Sequence, residues 1–450
     1  MGDKLLIRAF DVEVGDCIYV RIPNATITGA DAADFHMLID CGTKGAASIV
    51  ESAVQQLEAL LPLRDGGRRW LDLLVVTHEH EDHIKGFDPA SFANIDIGNI
   101  WMSAAMDPDH PQSTETHELR ALATDSMRAV ADSGLPLDPE FGALVSLYGI
   151  NNDGAMDALQ NRLPEQNGID PTYVHAGMSS ESLELPLDDA VIHVLGPEQD
   201  IDRFYLGVEN VLGLHSLQAA NAEIVSANGT TVLAAPKNIG LGDFRLLQSR
   251  MLSSAFAFAE LSSKVTNNTS VVLLIEWRGR RLLFVGDAEW EGEYREGKHN
   301  GSWNVMWHER RGMLDASVDF LKIGHHGSTN STPWNDLEDG SSTEAAEILD
   351  AILPLPTDGS VPTAQALVST KRKNYKTIPM SALLVELGRR VSNTRNYELE
   401  FEGAGFEPTD LPEYEDYERE WLARPQPHRT DHERLLNAVG FVDVEIGPND

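Results

Sequence analysis

One short stretch, Thr77–His83, constrains what this chain can fold into more than any other. It follows the apolar run Leu71–Val76 and carries three histidines and an aspartate within six residues. A short apolar run that ends abruptly in polar residues predicts a buried strand opening into a loop. In a loop, imidazole and carboxylate groups can point at one place, and they are ligands for Zn²⁺ and also for Fe or Mn. This histidine loop therefore predicts a metal site, with a solvated polar loop as the alternative.

Ligand-type residues also follow two later strands. Asp287 comes just after the apolar run Arg281–Val285. The pair His325-His326 comes just after the run Asp319–Ile323. Because the carboxyl ends of strands in an α/β sheet meet at one edge, these side chains are expected to lie beside the histidine loop.

An aspartate ends a strand earlier in the chain. The run Phe35–Ile39 reads as a strand and is followed directly by Asp40 and then by Gly42. An aspartate before a glycine turn is often only a turn residue. Alternatively, Asp40 fixes the tautomer of a metal-ligating histidine by accepting the hydrogen bond from its other ring nitrogen.

The order of predicted elements favours an α/β fold, since three strands and a helix precede the strand that leads into the histidine loop. Residues 1–400 are expected to form the main domain, with a last strand pair near 390–401. Two segments within it, about 102–190 and 198–265, are too long for ordinary loops and are interpreted as insertions beside or over the site. Residues 401–450 are rich in Asp, Glu and Pro and are expected to form an acidic extension.

The charge balance restricts the partners. The chain has 35 Lys and Arg against 71 Asp and Glu, a net charge of −36, which argues against tight non-specific binding of nucleic acid or anionic membranes. No run approaches the ~20 apolar residues of a membrane span, and the N-terminus lacks a signal-peptide core, so a cytoplasmic location is expected. The two cysteines, Cys17 and Cys41, are expected to be buried thiols.

Taken together, these motifs resemble the metallo-β-lactamase superfamily, and more closely the soluble hydrolase domain of ComEC-type competence proteins. The resemblance implies an αββα sandwich, in which two mixed sheets lie face to face with helices outside and the site along one edge. It spans most of residues 5–400 apart from the two insertions. The matching segments are Asp11–Asp16, Ile39–Gly42, Thr77–His83 with Gly86, Val194–Pro197, Asn267–Leu273, Gly286-Asp287 and Leu321–Ser328.

The same resemblance implies two divalent metal ions, zinc being favoured and manganese or iron remaining open. His326, which directly precedes Gly327, is preferred over His325 as the ligand of that pair. His325 then becomes a candidate for contacting phosphate or protonating a leaving group. The implied ligands are His78 and His80 for the first metal, Asp82, His83 and His326 for the second, and Asp287 as the bridge.

The sequence departs from the superfamily pattern at two places. The wider superfamily supplies a further histidine to the first metal, but the corresponding segment, Thr266–Ser270, has none. His193, His215 or His308 could compensate, although a structural or surface role is favoured for each. Because that further histidine is absent, the first metal is expected to be ligand-poor and open to water or substrate. The other departure is Ile378, where the competence-type pattern often carries a histidine before proline.

The resemblance implies a metal-dependent hydrolase, with phosphodiesterase activity favoured and nuclease activity as its most specific form. Asp82, Asp287 and His325 are the expected catalytic residues, acting with a hydroxide held by the two metals. The substrate is expected to be a phosphoester, such as a nucleotide or nucleic acid. Further residues that could support the ligands or contact substrate are Asp40, Asn267, Asn268, Ser328, Lys371 and Lys373.

Two other functions stay open. The same fold hydrolyses other esters and lactones, although the His325–Ser328 segment favours phosphoesters. A non-catalytic role is also possible, in which the metal site is structural and the insertions or acidic tail bind a protein partner.

Overall fold

The computed structural model describes residues 3–28, 31–64, 66–132, 152–208, 210, 257–334, 343–357, 359–372, 375, 377–407, 410–411 and 416–449. The sequence also predicts helices near 209–222 and 243–261, and most of each segment lies outside these ranges. Within them, no helix is both long and apolar enough to cross a membrane.

A seven-stranded sheet forms one half of the fold. Its strands are β1 (Leu5–Phe10), β2 (Ile18–Thr28), β3 (Asp31–Ile39), β5 (Leu73–Val76), β7 (Ile100–Ser103), β8 (Thr172–Val174) and β15 (Phe441–Ile446). They lie in the order β15-β1-β2-β3-β5-β7-β8. The pairings from β15 to β3 are antiparallel, and those from β3 to β8 are parallel. A separate parallel pair consists of β4 (Arg69–Leu71) and β6 (Ile95–Ile97).

A six-stranded sheet forms the other half. Its strands are β9 (Ala190–Gly196), β10 (Val272–Trp277), β11 (Arg280–Phe284), β12 (Phe320–Lys322), β13 (Gln365–Val368) and β14 (His428–Arg429). They lie in the order β14-β13-β12-β11-β10-β9. The pairings from β9 to β11 are antiparallel, and those from β11 to β14 are parallel.

The two sheets share one buried core, which includes Ile7 and Val20 from the first sheet and Ile275 and Phe284 from the second. Successive strand residues point to opposite faces, so the alternate side chains lie on the outer faces. Helices cover both outer faces through two further apolar clusters. The predicted α/β class is confirmed.

The helices that cover the sheets or join their strands are of very different lengths. They are α1 (Ala47–Leu60), α2 (Glu81–Ile84), α3 (Thr114–Asp132), α4 (Asp153–Asp157), α5 (Leu163–Asn167), α6 (Ser302–Leu314), α7 (Glu344–Ile352), α8 (Ser381–Gly388), α9 (Tyr397–Gly403), α10 (Asp416–Leu422) and α11 (Thr430–Asn437). A further helical segment covers 257–268.

The prediction of a strand pair near 390–401 is wrong, because Tyr397–Gly403 forms helix α9. Asn396 caps this helix, its side-chain oxygen accepting a hydrogen bond from the Leu399 N–H at 3.2 Å. Tyr397 and Phe401, four residues apart, are its buried residues and lie on one helix face. The residues beyond 401 supply β14 and β15, one strand to each sheet.

The loops that follow β5, β11 and β12 meet at one edge of the sandwich. The Val271 N–H donates a hydrogen bond to the Thr77 carbonyl at 2.9 Å, which joins the histidine loop to the second sheet. The His325 N–H donates to the Gly286 carbonyl at 3.1 Å, which joins the loops after β11 and β12. These backbone contacts bring the three groups of ligand-type residues together.

Candidate metal centre

The histidine loop is held by its backbone against the loop that follows β3. The Cys41 N–H donates to the His83 carbonyl at 2.9 Å, and the Asp16 N–H donates to the Asp82 carbonyl at 3.0 Å. Gly42 allows this close approach, since a Cβ atom there would lie 2.2 Å from the Asp82 carbonyl carbon. The one-turn helix α2 contains Asp82 and His83, and both side chains are buried.

His78, His80 and Asp287 form one group of ligand atoms that could hold a metal ion. Nε2 of His78 lies 3.1 Å from Nδ1 of His80 and 3.8 Å from Oδ2 of Asp287. His78 and Asp287 are buried, whereas His80 is partly exposed, so this first cluster reaches the surface.

Asp82, His83 and His326 form a second such group, and all three are buried. Nε2 of His326 lies 3.3 Å from Oδ2 of Asp82. Nε2 of His83 lies 3.2 Å from Oδ1 of Asp287, the other carboxylate oxygen of the first cluster. Asp287 therefore faces both clusters, one oxygen toward each.

Each buried histidine of the two clusters is held through Nδ1, which leaves Nε2 directed at the other ligand-type groups. Nδ1 of His83 lies 2.7 Å from the Asp40 carboxylate. Nδ1 of His78 lies 3.2 Å from the Ser270 hydroxyl, and Nδ1 of His326 lies 3.1 Å from the Ser369 carbonyl. Such supporting hydrogen bonds orient metal-ligating histidines in proteins.

Three buried atoms at this point make no hydrogen bond of acceptable geometry with the described residues, although each lies 3.2–3.3 Å from an oppositely polar atom. They are Nε2 of His83, Nε2 of His326 and Oδ1 of Asp287. A buried polar atom without a hydrogen bond is unfavourable by about 1–3 kcal/mol, so three of them in one place favour a bound ion. Nitrogen and carboxylate oxygen donors that converge in this way fit a divalent metal ion.

The charges of the clusters are strongly coupled. Burial opposes the charged forms, but Asp287 and Asp40 raise the pKa of His83 well above its usual range. Burial likewise opposes ionisation of Asp287, but His83 and His325 hold the pKa of its carboxyl well below the usual range. Burial lowers the pKa of His80 to about 4, which favours the neutral imidazole that binds metals.

His325 lies beside the clusters and is not a member of either. Its Nδ1 lies 3.1 Å from the Glu289 carboxylate and 3.1 Å from the Ser328 hydroxyl. Its Nε2 lies 3.9 Å from Oδ2 of Asp287. Burial lowers the pKa of His325, but Asp287 and Glu289 outweigh burial and raise it. The ring is thus oriented by one carboxylate and faces another.

A third group of potential ligands consists of Asp16, Asp40 and His83. The buried ammonium of Lys322 lies 2.9 Å from the Asp16 carboxylate, so a positive charge is already present there. Asp40 also accepts hydrogen bonds from the Thr77 N–H and hydroxyl at 2.7 and 2.6 Å. This group therefore stabilises the position of the histidine loop through the hydrogen bonds that Asp40 accepts.

The remaining sequence-predicted residues have varied surroundings. Asn267 donates to the Glu289 carboxylate at 2.9 Å, and Asn268 accepts hydrogen bonds from the backbone of Glu289 and Ser302. The Lys371 ammonium lies 2.6 Å from the Glu13 carboxylate. Lys373 lies outside the described residues.

The histidines considered as substitutes for the missing ligand do not join the clusters. His193 pairs with Glu276 at 3.4 Å on the second sheet, and His308 is 51% exposed in its side chain. Neither belongs to a potential metal-binding group in the described ranges. His215 falls outside those ranges.

Sequence reasoning missed two charged residues at the site. The Lys44 ammonium lies 3.1 Å from the Asp82 carboxylate, and Glu289 orients His325. Glu289 stands two residues after Asp287, so its position next to a strand end was a usable signal. Nothing in the pattern around Lys44 distinguishes it from a surface lysine.

No protein-family model matches this sequence, and it matches no curated protein.

Proposed function

We propose that this protein is a metal-dependent hydrolase of phosphodiesters, built on a metallo-β-lactamase fold. The observation that carries the proposal is the position of Asp287 between two groups of histidine and aspartate ligands. Two-metal hydrolytic sites use such a shared group to keep their ions about 3.5–4 Å apart. The two facing sheets and the site at their edge agree with the architecture that the sequence resemblance implies.

Divalent ions at this site, zinc on the basis of the ligand types, would supply a water of lowered pKa and polarise phosphoryl oxygens. His78, His80, Asp82, His83 and His326 would hold them, with Asp287 between. The Asp82 and Asp287 carboxylates would also orient the attacking water through hydrogen bonds.

His325 would donate the proton that the leaving group needs. Its Nδ1 is fixed by Glu289 and Ser328, so its Nε2 points into the site. The raised pKa of His325 favours the protonated form, which a general acid requires. Glu289 would position this ring and stabilise its positive charge.

The surface charges favour a small or single-stranded substrate over duplex DNA. Arg310 pairs with Glu198 at 2.8 Å, and Arg280 pairs with Asp319 at 2.7 Å. Arg372 is buried and pairs with Glu418 at 2.9 Å. These arginines stabilise the fold, and a basic track for duplex DNA would need exposed ones.

A substrate panel tests the proposal. Metal content is measured first, and the protein is then assayed with bis-p-nitrophenyl phosphate, single-stranded DNA, duplex DNA and RNA, before and after chelation. We expect bound metal, turnover of the small diester that chelation abolishes, and its recovery on adding zinc or manganese. Absence of both metal and turnover would refute the proposal, and turnover of the small diester alone would exclude the nuclease form.

The two adjacent histidines are expected to respond differently to substitution. His325→Ala should keep its metal and lose about 10²–10⁴-fold in rate, since it removes a general acid. His326→Ala should lose metal, because it removes a buried ligand of the second cluster. Metal content by atomic spectroscopy and initial rates with bis-p-nitrophenyl phosphate provide the measurements.

An exposed histidine, His308, offers the matched control, and His308→Ala should change neither quantity. Loss of metal from His325→Ala with retention in His326→Ala would reverse the assignment of the pair.

A further inference from the structure

Lys44 is a cation at the rim of the candidate metal centre. Its ammonium lies 3.1 Å from Oδ2 of Asp82, and its side chain is 29% exposed, whereas that of Asp82 is 3% exposed. The ammonium also lies 5.1 Å from the centre of the Tyr375 ring. Lys44 therefore lies between the buried Asp82 carboxylate and solvent.

The loop that carries Lys44 is held in place by its neighbours. The Thr43 hydroxyl donates to the Val12 carbonyl at 2.5 Å and accepts from the Gly45 N–H at 2.9 Å. The Lys44 N–H donates to the Val14 carbonyl at 2.8 Å, and the Lys85 ammonium donates to the Gly45 carbonyl at 2.9 Å. The backbone thus directs the Lys44 side chain at the site, and none of these bonds depends on its ammonium.

Lys371, whose partner Glu13 lies close to Gly45, has a different environment. Lys371 is neutralised at 2.6 Å by Glu13, which belongs to neither cluster and would remain its partner in the working site. The partner of Lys44, in contrast, is Asp82, a proposed metal ligand. A carboxylate that binds a metal ion shares its charge with that ion, so Lys44 would be free to bind another anion.

We propose that Lys44 anchors a negatively charged, non-bridging oxygen of the substrate phosphate and so makes the site selective for anionic phosphodiesters over neutral esters. This inference rests on the proposed hydrolase function. A charge-assisted hydrogen bond from an ammonium to such an oxygen strengthens binding of the anion, whereas a neutral phosphotriester has no negatively charged oxygen to receive it.

The test compares Lys44→Met and Lys44→Arg with wild type and with Lys4→Met, which removes a surface lysine remote from the site. Each protein is loaded with zinc and its metal content is measured. Rates are measured with anionic bis-p-nitrophenyl phosphate and with neutral diethyl p-nitrophenyl phosphate. Binding of inorganic phosphate is measured by calorimetry, independently of turnover.

For Lys44→Met we expect unchanged metal content, an approximately 10- to 100-fold rise in KM for the anionic diester and a similar weakening of phosphate binding. Lys44→Arg should recover part of both, and the neutral triester should react as with wild type. Lys4→Met should match wild type throughout.

Equal KM and equal phosphate binding in wild type and Lys44→Met would contradict the role of Lys44. So would a loss of rate in Lys44→Met that is as large with the neutral triester as with the anionic diester. Thermal unfolding checks that the Lys44 variants are folded. If wild type bound phosphate through Lys44 but turned over neither ester, the proposed hydrolase function would fail and the anion site would stand.

Discussion

Replacing Asp287 with alanine is expected to lower phosphodiester hydrolysis by about 10⁴-fold or more and to reduce metal binding at both clusters. Its two carboxylate oxygens face different partners, His83 at 3.2 Å and His78 at 3.8 Å. In the proposed mechanism, loss of this one side chain would remove a ligand from each metal, and the attacking water would lose its orientation. Metal titration by calorimetry and initial rates with bis-p-nitrophenyl phosphate measure the two effects.

Asp287→Asn separates charge from shape, because the amide keeps the volume but binds metals weakly. It should resemble Asp287→Ala in rate. Asp443, a surface aspartate paired with Arg8, provides the control, and Asp443→Asn should leave metal and rate unchanged. Full metal content in Asp287→Ala would show that this residue does not bridge the clusters.

The meeting of Asp287 and His326 could be predicted because it depends on a general property of parallel strands. Each residue follows one strand of the parallel pair β11 and β12, whose carboxyl ends lie at one edge of their sheet. His78 follows β5 of the other sheet, and it reaches them because the two sheets pack face to face. The structure also places the Asp40 carboxylate 2.7 Å from Nδ1 of His83. This position agrees with the second interpretation of Asp40, as a group that fixes the tautomer of a histidine, rather than with a turn residue.

The surroundings of these ligands could not be predicted, because they depend on contacts between distant loops. Lys44 reaches Asp82 only because the loop after β3 packs on the histidine loop. Likewise, Arg280, Arg310 and Arg372 each bind a carboxylate across a long sequence separation. A sequence pattern shows where a charge lies along the chain and not which loop it will face.

The C-terminal part of the chain shows the same limit. Residues Phe441–Ile446 alternate between buried and exposed positions, as a half-buried strand should. Their partner is β1, more than 400 residues earlier, and no local pattern specifies such a pairing. The strand pair predicted near 390–401 is wrong because Tyr397 and Phe401, aromatic residues that favour strands in isolation, lie on one face of helix α9.

A buried group of charges joins this C-terminal part to the loop after β13. Arg429 is fully buried and lies 2.5 Å from Glu418 and 3.1 Å from Asp431. Arg372, from the loop after β13, lies 2.9 Å from the other Glu418 oxygen. The Ser381 hydroxyl donates to that same oxygen at 2.5 Å. Glu418 thus connects three separate segments of the chain.

The loop after β13 also reaches the candidate metal centre. The Thr370 N–H donates to the Thr430 hydroxyl at 3.0 Å, and that hydroxyl donates to the Thr370 carbonyl at 3.2 Å. The preceding residue, Ser369, places its carbonyl 3.1 Å from His326. The C-terminal segment therefore supports the backbone that orients a proposed metal ligand.

Glu418→Ala is expected to lower the free energy of unfolding by about 3–5 kcal/mol, because it removes the carboxylate that both Arg372 and Arg429 face and leaves Asp431 as the remaining counter-charge of Arg429. Burial opposes ionisation of Glu418, but the positive groups around it, Arg429 first, hold its pKa below the usual 4.5. A carboxyl with a lowered pKa stabilises the fold fully above its unfolded pKa and loses that effect as the pH falls through its folded pKa. Urea unfolding at pH 7 and at pH 4 should therefore show a smaller difference between variant and wild type at the lower pH.

Glu420, exposed and two residues along the same helix, gives the matched control. Glu420→Ala changes helix composition and net charge in the same way and should alter stability by less than about 0.5 kcal/mol. Equal stability of the two variants would mean that the buried charges contribute nothing to folding. If Glu418→Ala unfolds more easily and also binds zinc more weakly while still folded, the support reaches His326 through Thr370 and Ser369. Normal zinc affinity in the folded variant would confine the role of Glu418 to stability.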